Sequence, residues 1–232
     1  MNNTAFIMRP KFILKTYLRH ILIYSAKKCI FVNNILSESI MKRILLQIFA
    51  MTLLTSCTSG FTPAERDIIC GGEGDIMRVL SIACKQDSLL LRSTSQPLNK
   101  KMLHEEVFQT LCRRMLATVQ NPENEGVGIA APQVGILRRL VAVQRFDKDG
   151  KPFEFFINPE IVEKDENLVA GGEGCLSVPE IYEDVERSQR ITLRYYDADF
   201  VQHEEVIEGF TAVIFQHEID HLDGHLFIDY IK

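Results

Sequence analysis

The chain has no tryptophan, no Cys-x-x-Cys pair and no cluster of lysine and arginine in the part that reads as folded. Each absence removes something. With a net charge of -5 and no basic stripe, there is no electrostatic footprint for a nucleic acid, and that class is set aside. Cys29, Cys57, Cys70, Cys84, Cys112 and Cys175 are scattered without framework spacing, so each is judged alone. Cys84 and Cys112 sit in apolar surroundings and read as small buried hydrophobes. Long apolar runs are missing too: Met1 to Ile40 is broken by Lys, Arg and His well short of the ~18 residues a membrane span needs.

What is present begins at Met41. "MKRILLQIFAMTLLTSC" has a basic start (Lys42, Arg43), an apolar stretch from Ile44 to Leu54, and small residues before Cys57, which is the layout of an export signal. Leu54-Thr55-Ser56-Cys57 resembles a bacterial lipoprotein box, in which the cysteine becomes the lipid-bearing first residue. We therefore expect Met41 to be the true start, residues 1–40 to be an upstream or non-native leader, and 41–57 to be a signal segment. The Thr, Ser, Pro and Gly content of 58–76 suggests a linker, which leaves 77–232 as the folded domain.

Within that domain, "MRVLSIA" from Met77 suits a short strand. Asn99 can cap a helix reaching about Gln120, since Leu103, Val107, Leu111, Met115 and Val119 recur at helical spacing. "RLVAVQRF" and "FEFFINP" flank the Asp149-Gly150 turn signal, and "ITLRYYDADFVQHEEVI" reads as a second hairpin. A last helix should start near Gly209 and stop at Gly224. These elements predict an α+β fold, with antiparallel sheets packed around a central helix.

That last helix carries "QHEIDHLDG", Gln216 to Gly224. Residues four apart on a helix project from nearly one face, so His217 and His221 can share an ion. Glu218 lies about 100° round, close enough to work on water without ligating. This is the logic of H-E-x-x-H: two neutral imidazoles hold the metal and a carboxylate moves the proton. A third ligand is needed. His225 comes too early for a metzincin pattern, whose histidine position is Phe227 here, and reads as a surface residue. Cys175, in "EGCLSVP" between Gly174 and Pro179, is the better candidate, although a free loop cysteine would look the same. "GVGIAAPQVG" imitates a dinucleotide fingerprint, but Pro132 would obstruct the helix that fingerprint opens. Its glycines instead permit close backbone approach to a ligand, with Gln133 offering an amide donor.

The three segments, Gly126 to Gln133, Glu173 to Ser177 and Gln216 to Gly224, together resemble the peptide deformylase family. That family is marked by G-Φ-G-Φ-A-A-x-Q, E-G-C-Φ-S and Q-H-E-Φ-D-H-Φ-x-G in this order, with Φ apolar. The resemblance spans roughly Met77 to the C-terminus. It implies a hydrolase that removes the formyl group from N-formylmethionyl peptides or nascent chains. Cys175, His217 and His221 would hold one divalent metal with water in the fourth place, and Glu218 would serve as general base and then acid. The Gln133 side-chain amide and the Leu176 backbone N–H would hold the oxyanion. Val127, Gly128, Phe210, Val213 and Ile214 would line the methionine slot, and Glu173 with Arg187 would steady the cysteine loop. Ferrous iron is the expected ion, with zinc, nickel or cobalt suited to the same ligands.

We further expect a monomer, membrane-anchored through a lipidated Cys57 if the 41–57 signal is used and cytoplasmic otherwise. The chain departs from the pattern in two respects. Export would remove it from nascent chains, and many members continue into a C-terminal helix where this sequence stops at Lys232, although every motif lies upstream. Two rival readings use the same residues: a metallopeptidase, or a catalytically silent, lipid-anchored metal-binding relative. Glu218 and Gln133 weigh against the silent relative, because a mere binder needs neither.

Overall fold

The computed structural model describes residues 60–124 and 126–231. The leader, the signal segment and Cys57 lie outside the described residues, as do Glu125 and Lys232. Among the described residues, seven strands and five α-helices follow in chain order. They are α1 (Pro63–Cys70), α2 (Lys85–Leu91), α3 (Lys100–Leu103), α4 (Glu106–Val119), β1 (Gly128–Ala130), β2 (Leu140–Gln144), β3 (Phe153–Lys164), β4 (Leu168–Cys175), β5 (Val178–Ser188), β6 (Arg190–Tyr196), β7 (Gln202–Glu208) and α5 (Gly209–Asp223). Short 3₁₀ turns occupy Ala131–Val134 and Phe227–Tyr230.

The main sheet runs β1-β2-β3-β6-β7 and its pairings are antiparallel, while β4 and β5 form a separate hairpin sheet. Strand alternation explains why β2 is apolar on both sides. Leu140 and Ala142 enter a core beneath α4, whereas Val141 and Val143 enter a second core beneath α5. Being covered all round, α5 buries Ala212, Ile214, Phe215, Ile219 and Leu222 along with Gln216, Glu218 and His221. Its end is set by Gly224, whose φ of 80° is a left-handed conformation that glycine adopts without strain.

The α+β architecture, both expected hairpins and the bounds of α5 agree with the sequence reading. Four local expectations are corrected. Residues 58–76 are not simply a linker, because Thr62 and Glu65 form a reciprocal capping box ahead of Pro63 and nucleate α1, which buries Ile69. "MRVLSIA" forms no strand. It bridges instead, with Met77 N–H donating to Thr118 Oγ1, Leu80 N–H to the Gln133 carbonyl and Ile82 N–H to the Ser177 carbonyl. The helix expected from Asn99 is broken. Asn99 does cap α3, accepting from Met102 N–H at 3.2 Å, but the backbone restarts at Glu105, whose carboxylate pairs with Arg66 of α1. Finally, Cys84 is not a core residue: it precedes α2, half-buried, with its thiol toward Gln86.

Candidate metal centre

The glycine-rich run containing Cys175, whose sequence suits a loop equally well, is a strand. Gly172 and Gly174 pair with Asp184 and Tyr182 across the hairpin, and Cys175 ends β4 opposite Val178. This puts the sulfur beside α5. Cys175, His217 and His221 converge, their ligand atoms lying within 4.8 Å of one another. Cys175 Sγ is 3.2 Å from His221 Nε2. A tetrahedral ion with ordinary Zn–S and Zn–N lengths needs such atoms about 3.4–3.6 Å apart, so this thiolate and two imidazoles fit a divalent metal without backbone movement.

The His217 ring is oriented for Nε2 ligation, while the buried Nδ1 of His221 has no partner among the described residues. His217 Nδ1 lies 2.8 Å from Glu173 Oε2, so the other ring nitrogen faces the sulfur. Burial works against a charge on His217, but the Cys175 and Glu173 side chains outweigh it and raise its pKa. Burial lowers that of His221, 1% exposed, and the nearby His217 lowers it further. Glu173 is itself gripped by Arg187, whose Nε and Nη2 donate to its two oxygens at 2.7 and 3.1 Å. Arg187, 4% exposed, also pairs with Asp220 at 2.6 Å and lies under the Tyr230 ring. The expected Glu173–Arg187 pair is therefore formed, and it is buried.

Glu218 faces the same cleft. It is 4% exposed, its Oε2 has no partner among the described residues, and burial pushes its carboxyl up to about 7. Gly128 explains the fit, because a Cβ there would collide with Glu218 Oε1 and come within 2.9 Å of its Cγ. Gln133 is oriented by the turn that follows β1. Its Oε1 accepts from Ala130 N–H at 2.8 Å, which aims Nε2 at Cys175 Sγ, 3.6 Å away, and at Ser177 Oγ, 3.4 Å away. Pro132 is accommodated at the start of the 3₁₀ turn, where no N–H is needed.

The cleft measures about 520 Å³, and Val127, Gly128, Phe210, Val213, Ile214 and Leu176 all line it. His225 is exposed and outside it, while Phe227 is buried near the ring of His217. Sequence reasoning missed the Glu173–His217 contact, the part played by Asp220, and Tyr182 at the cleft mouth. Asp220 carried a signal, being a carboxylate three residues after His217 on the same helix. Tyr182 carried none.

An α+β domain that closes a Cys/His/His set around an H-E-x-x-H helix has the site of a metal-dependent hydrolase. The comparisons narrow the class. Residues 79–232 match the family model described as polypeptide deformylase. A peptide deformylase of Afipia carboxidovorans is 40% identical over 163 residues, covering 68% of this chain and 87% of that one. Two structures of the class I type b peptide deformylase of Acinetobacter baumannii superpose with TM-scores of 0.60. One is bound to Met-Ala-Ser (34% identical, covering 67% of this chain and 98% of that chain) and one to actinonin (35%, 68% and 99%). The chain belongs to the polypeptide deformylase family.

Proposed function

We propose that the protein is a metal-dependent hydrolase that removes the N-formyl group from N-formylmethionyl peptides, with Glu218 as general base and acid. The supporting observation is the convergence of Cys175, His217 and His221 in the cleft where, among the described residues, the buried Glu218 Oε2 has no partner. A divalent cation in that set would supply Lewis acidity, lowering the pKa of water and polarising the formyl carbonyl. Glu218 accepts the proton of the attacking water and returns it to the departing amine, for which a carboxyl near pH 7 is well matched. Gln133 Nε2 and the Leu176 N–H stabilise the oxygen that gains charge. Val127, Phe210, Val213 and Ile214 seat the methionine side chain, and Gly128 lets the substrate backbone approach. Glu173 holds the His217 ring and is itself held by Arg187.

Ferrous iron is the ion we assign, with zinc, nickel or cobalt compatible with the same borderline donors. We also propose that the domain acts as a monomer, carried on a membrane by lipidation of Cys57 when the 41–57 signal is used and cytoplasmic when it is not. The test is formate release from N-formyl-Met peptides by anaerobically purified protein, beside a substrate with an internal scissile bond. Formate release that disappears in Glu218→Ala, with metal content unchanged, is the expected outcome. Internal cleavage without formate would assign the site to a peptidase, and unaltered release by Glu218→Ala would overturn the mechanism.

A further inference from the structure

Phe210 is the least anchored wall of the methionine slot. It is the second residue of α5, follows Gly209 and is 53% exposed, whereas Ile214, one turn on, is 4% exposed. A Cβ on Gly209 would have nothing within 4 Å, so no neighbour crowds the helix start. Among the described residues one aromatic ring meets Phe210. Phe146 lies 5.2 Å away between centroids with the planes at 66°, the edge-to-face arrangement in which one ring's positive edge meets the other's negative face. Phe146 does not line the cleft, and it lies outside the three sequence motifs.

The chain holds Phe146 from both sides. Arg145 before it is fully buried, 5.8 and 6.0 Å from the Phe156 and Phe215 ring centroids, and donates to Asp147, the residue after Phe146. Lys151, across the turn, puts Nζ 5.2 Å from the centre of the Phe146 ring. On the strand side, Gln144 N–H donates to the Val127 carbonyl at 2.9 Å. Gln144 and Phe146 thus anchor two slot walls, Val127 and Phe210, that are remote in sequence. Deleting the Phe146 ring would open a space beside the half-exposed Phe210, which can turn into it and widen the slot.

Resting on the deformylase reading above, we infer that Phe146 is a positioning residue for substrate selection: it holds the Phe210 ring in place and keeps the slot narrow enough to prefer methionine over a bulkier first residue. Apolar pockets read such shape steeply, one methylene being worth about 10–200-fold. The experiment measures kcat and KM for formyl-Met-Ala-Ser and formyl-Phe-Ala-Ser in metal-loaded wild type, Phe146→Ala and Phe146→Tyr. Affinities for the two unformylated peptides by calorimetry, and melting temperatures, accompany the rates. An edge-to-face pair is worth about two- to tenfold, so KM for the methionine peptide should rise by about that factor in Phe146→Ala. Since the metal ligands, Glu218 and Gln133 are untouched, kcat should move by less than about twofold. The methionine-over-phenylalanine ratio of kcat/KM should fall by at least about fivefold. Phe146→Tyr, which keeps the ring pair, should restore both quantities. A merely structural role would lower the melting temperature and leave that ratio in place. A ratio within about twofold of wild type in folded Phe146→Ala overturns the inference, and if that variant does not fold, the same ratio in Phe146→Leu decides. Absence of formate release from both peptides would instead strike the deformylase reading, and the calorimetric ratio would still decide this one.

Discussion

Glu173 Oε2 lies 2.8 Å from His217 Nδ1 and also accepts from Arg187 Nη2, so one carboxylate on β4 orients a ring on α5 while neutralising a buried guanidinium. The pair couples the cysteine-bearing strand to the histidine-bearing helix. Glu173→Gln should therefore weaken metal retention by about 10–100-fold, the usual cost of losing the partner of a ligating histidine. It should also destabilise the fold, because among the described residues Arg187 would keep only Asp220 as a carboxylate partner. Metal content after dialysis against a chelator series checks the first effect and thermal unfolding the second. Unchanged retention would remove Glu173 from the site.

Gly128 is required by its distance to Glu218 rather than by its backbone angles. Gly128→Ala would force the Glu218 side chain from its place, since Oε1, Cδ and Cγ all crowd the added methyl. We expect kcat to fall by at least about 10²-fold, in the range of losing general acid–base catalysis, with the metal still bound. Circular dichroism and metal analysis beside the rate measurement distinguish this from simple misfolding.

Much of this centre was legible because its parts are local. His217, Glu218 and His221 lie close together on a helix whose start and stop are marked by Gly209 and Gly224, and periodicity alone placed the two histidines on one face with Glu218 about 100° round. Cys175 needed a long-range fact, the pairing of β4 with β5, which three glycines in "AGGEGC" hid by resembling a loop. The apolar run at Met77 misled for a related reason: its backbone donors go to Thr118, Gln133 and Ser177, partners remote in sequence that no local pattern encodes. The helix at Pro63 was legible and overlooked, since Thr62-Pro63-Ala64-Glu65 is a capping box with proline at its favoured position.

Acid should destabilise the protein through the knot at the β2–β3 turn. Arg145, fully buried, pairs with Asp147 at 2.6 Å, Glu205 at 2.7 Å and Glu154 at 3.2 Å. Hydrogen bonding from Arg145 holds the Asp147 carboxyl down at about 2. A carboxylate depressed in the folded state stabilises fully above its unfolded value of about 3.9, and that contribution is lost as pH falls through 2. The melting temperature should accordingly decline between about pH 4 and pH 2, and Asp147→Asn should flatten that part of the profile. An identical slope in the variant would show that Asp147 contributes nothing to acid sensitivity.

The segment ahead of the family-matched region should prove integral to the fold. α1 is tied to the turn after Gln133 by Glu65, whose two oxygens accept from Arg138 at 2.6 and 2.9 Å. Its C-terminal end is held by Arg114 of α4, which donates to the carbonyls of Ile69 at 2.7 Å and Gly71 at 2.6 Å. Phe61, Ile69 and Met77 are buried in the core under α4. Each such side chain contributes about 1.5–3 kcal/mol, so losing all three would remove a large part of the 5–15 kcal/mol that holds a typical domain together. A chain beginning at residue 79 should therefore melt far below one beginning at residue 59, or fail to fold. Glu65→Ala, which leaves the apolar contacts in place, should cost about 1–3 kcal/mol, a fall of several degrees. Paired melting curves of the two chains and the point variant check both expectations, and coincident curves would reduce α1 to an appendage.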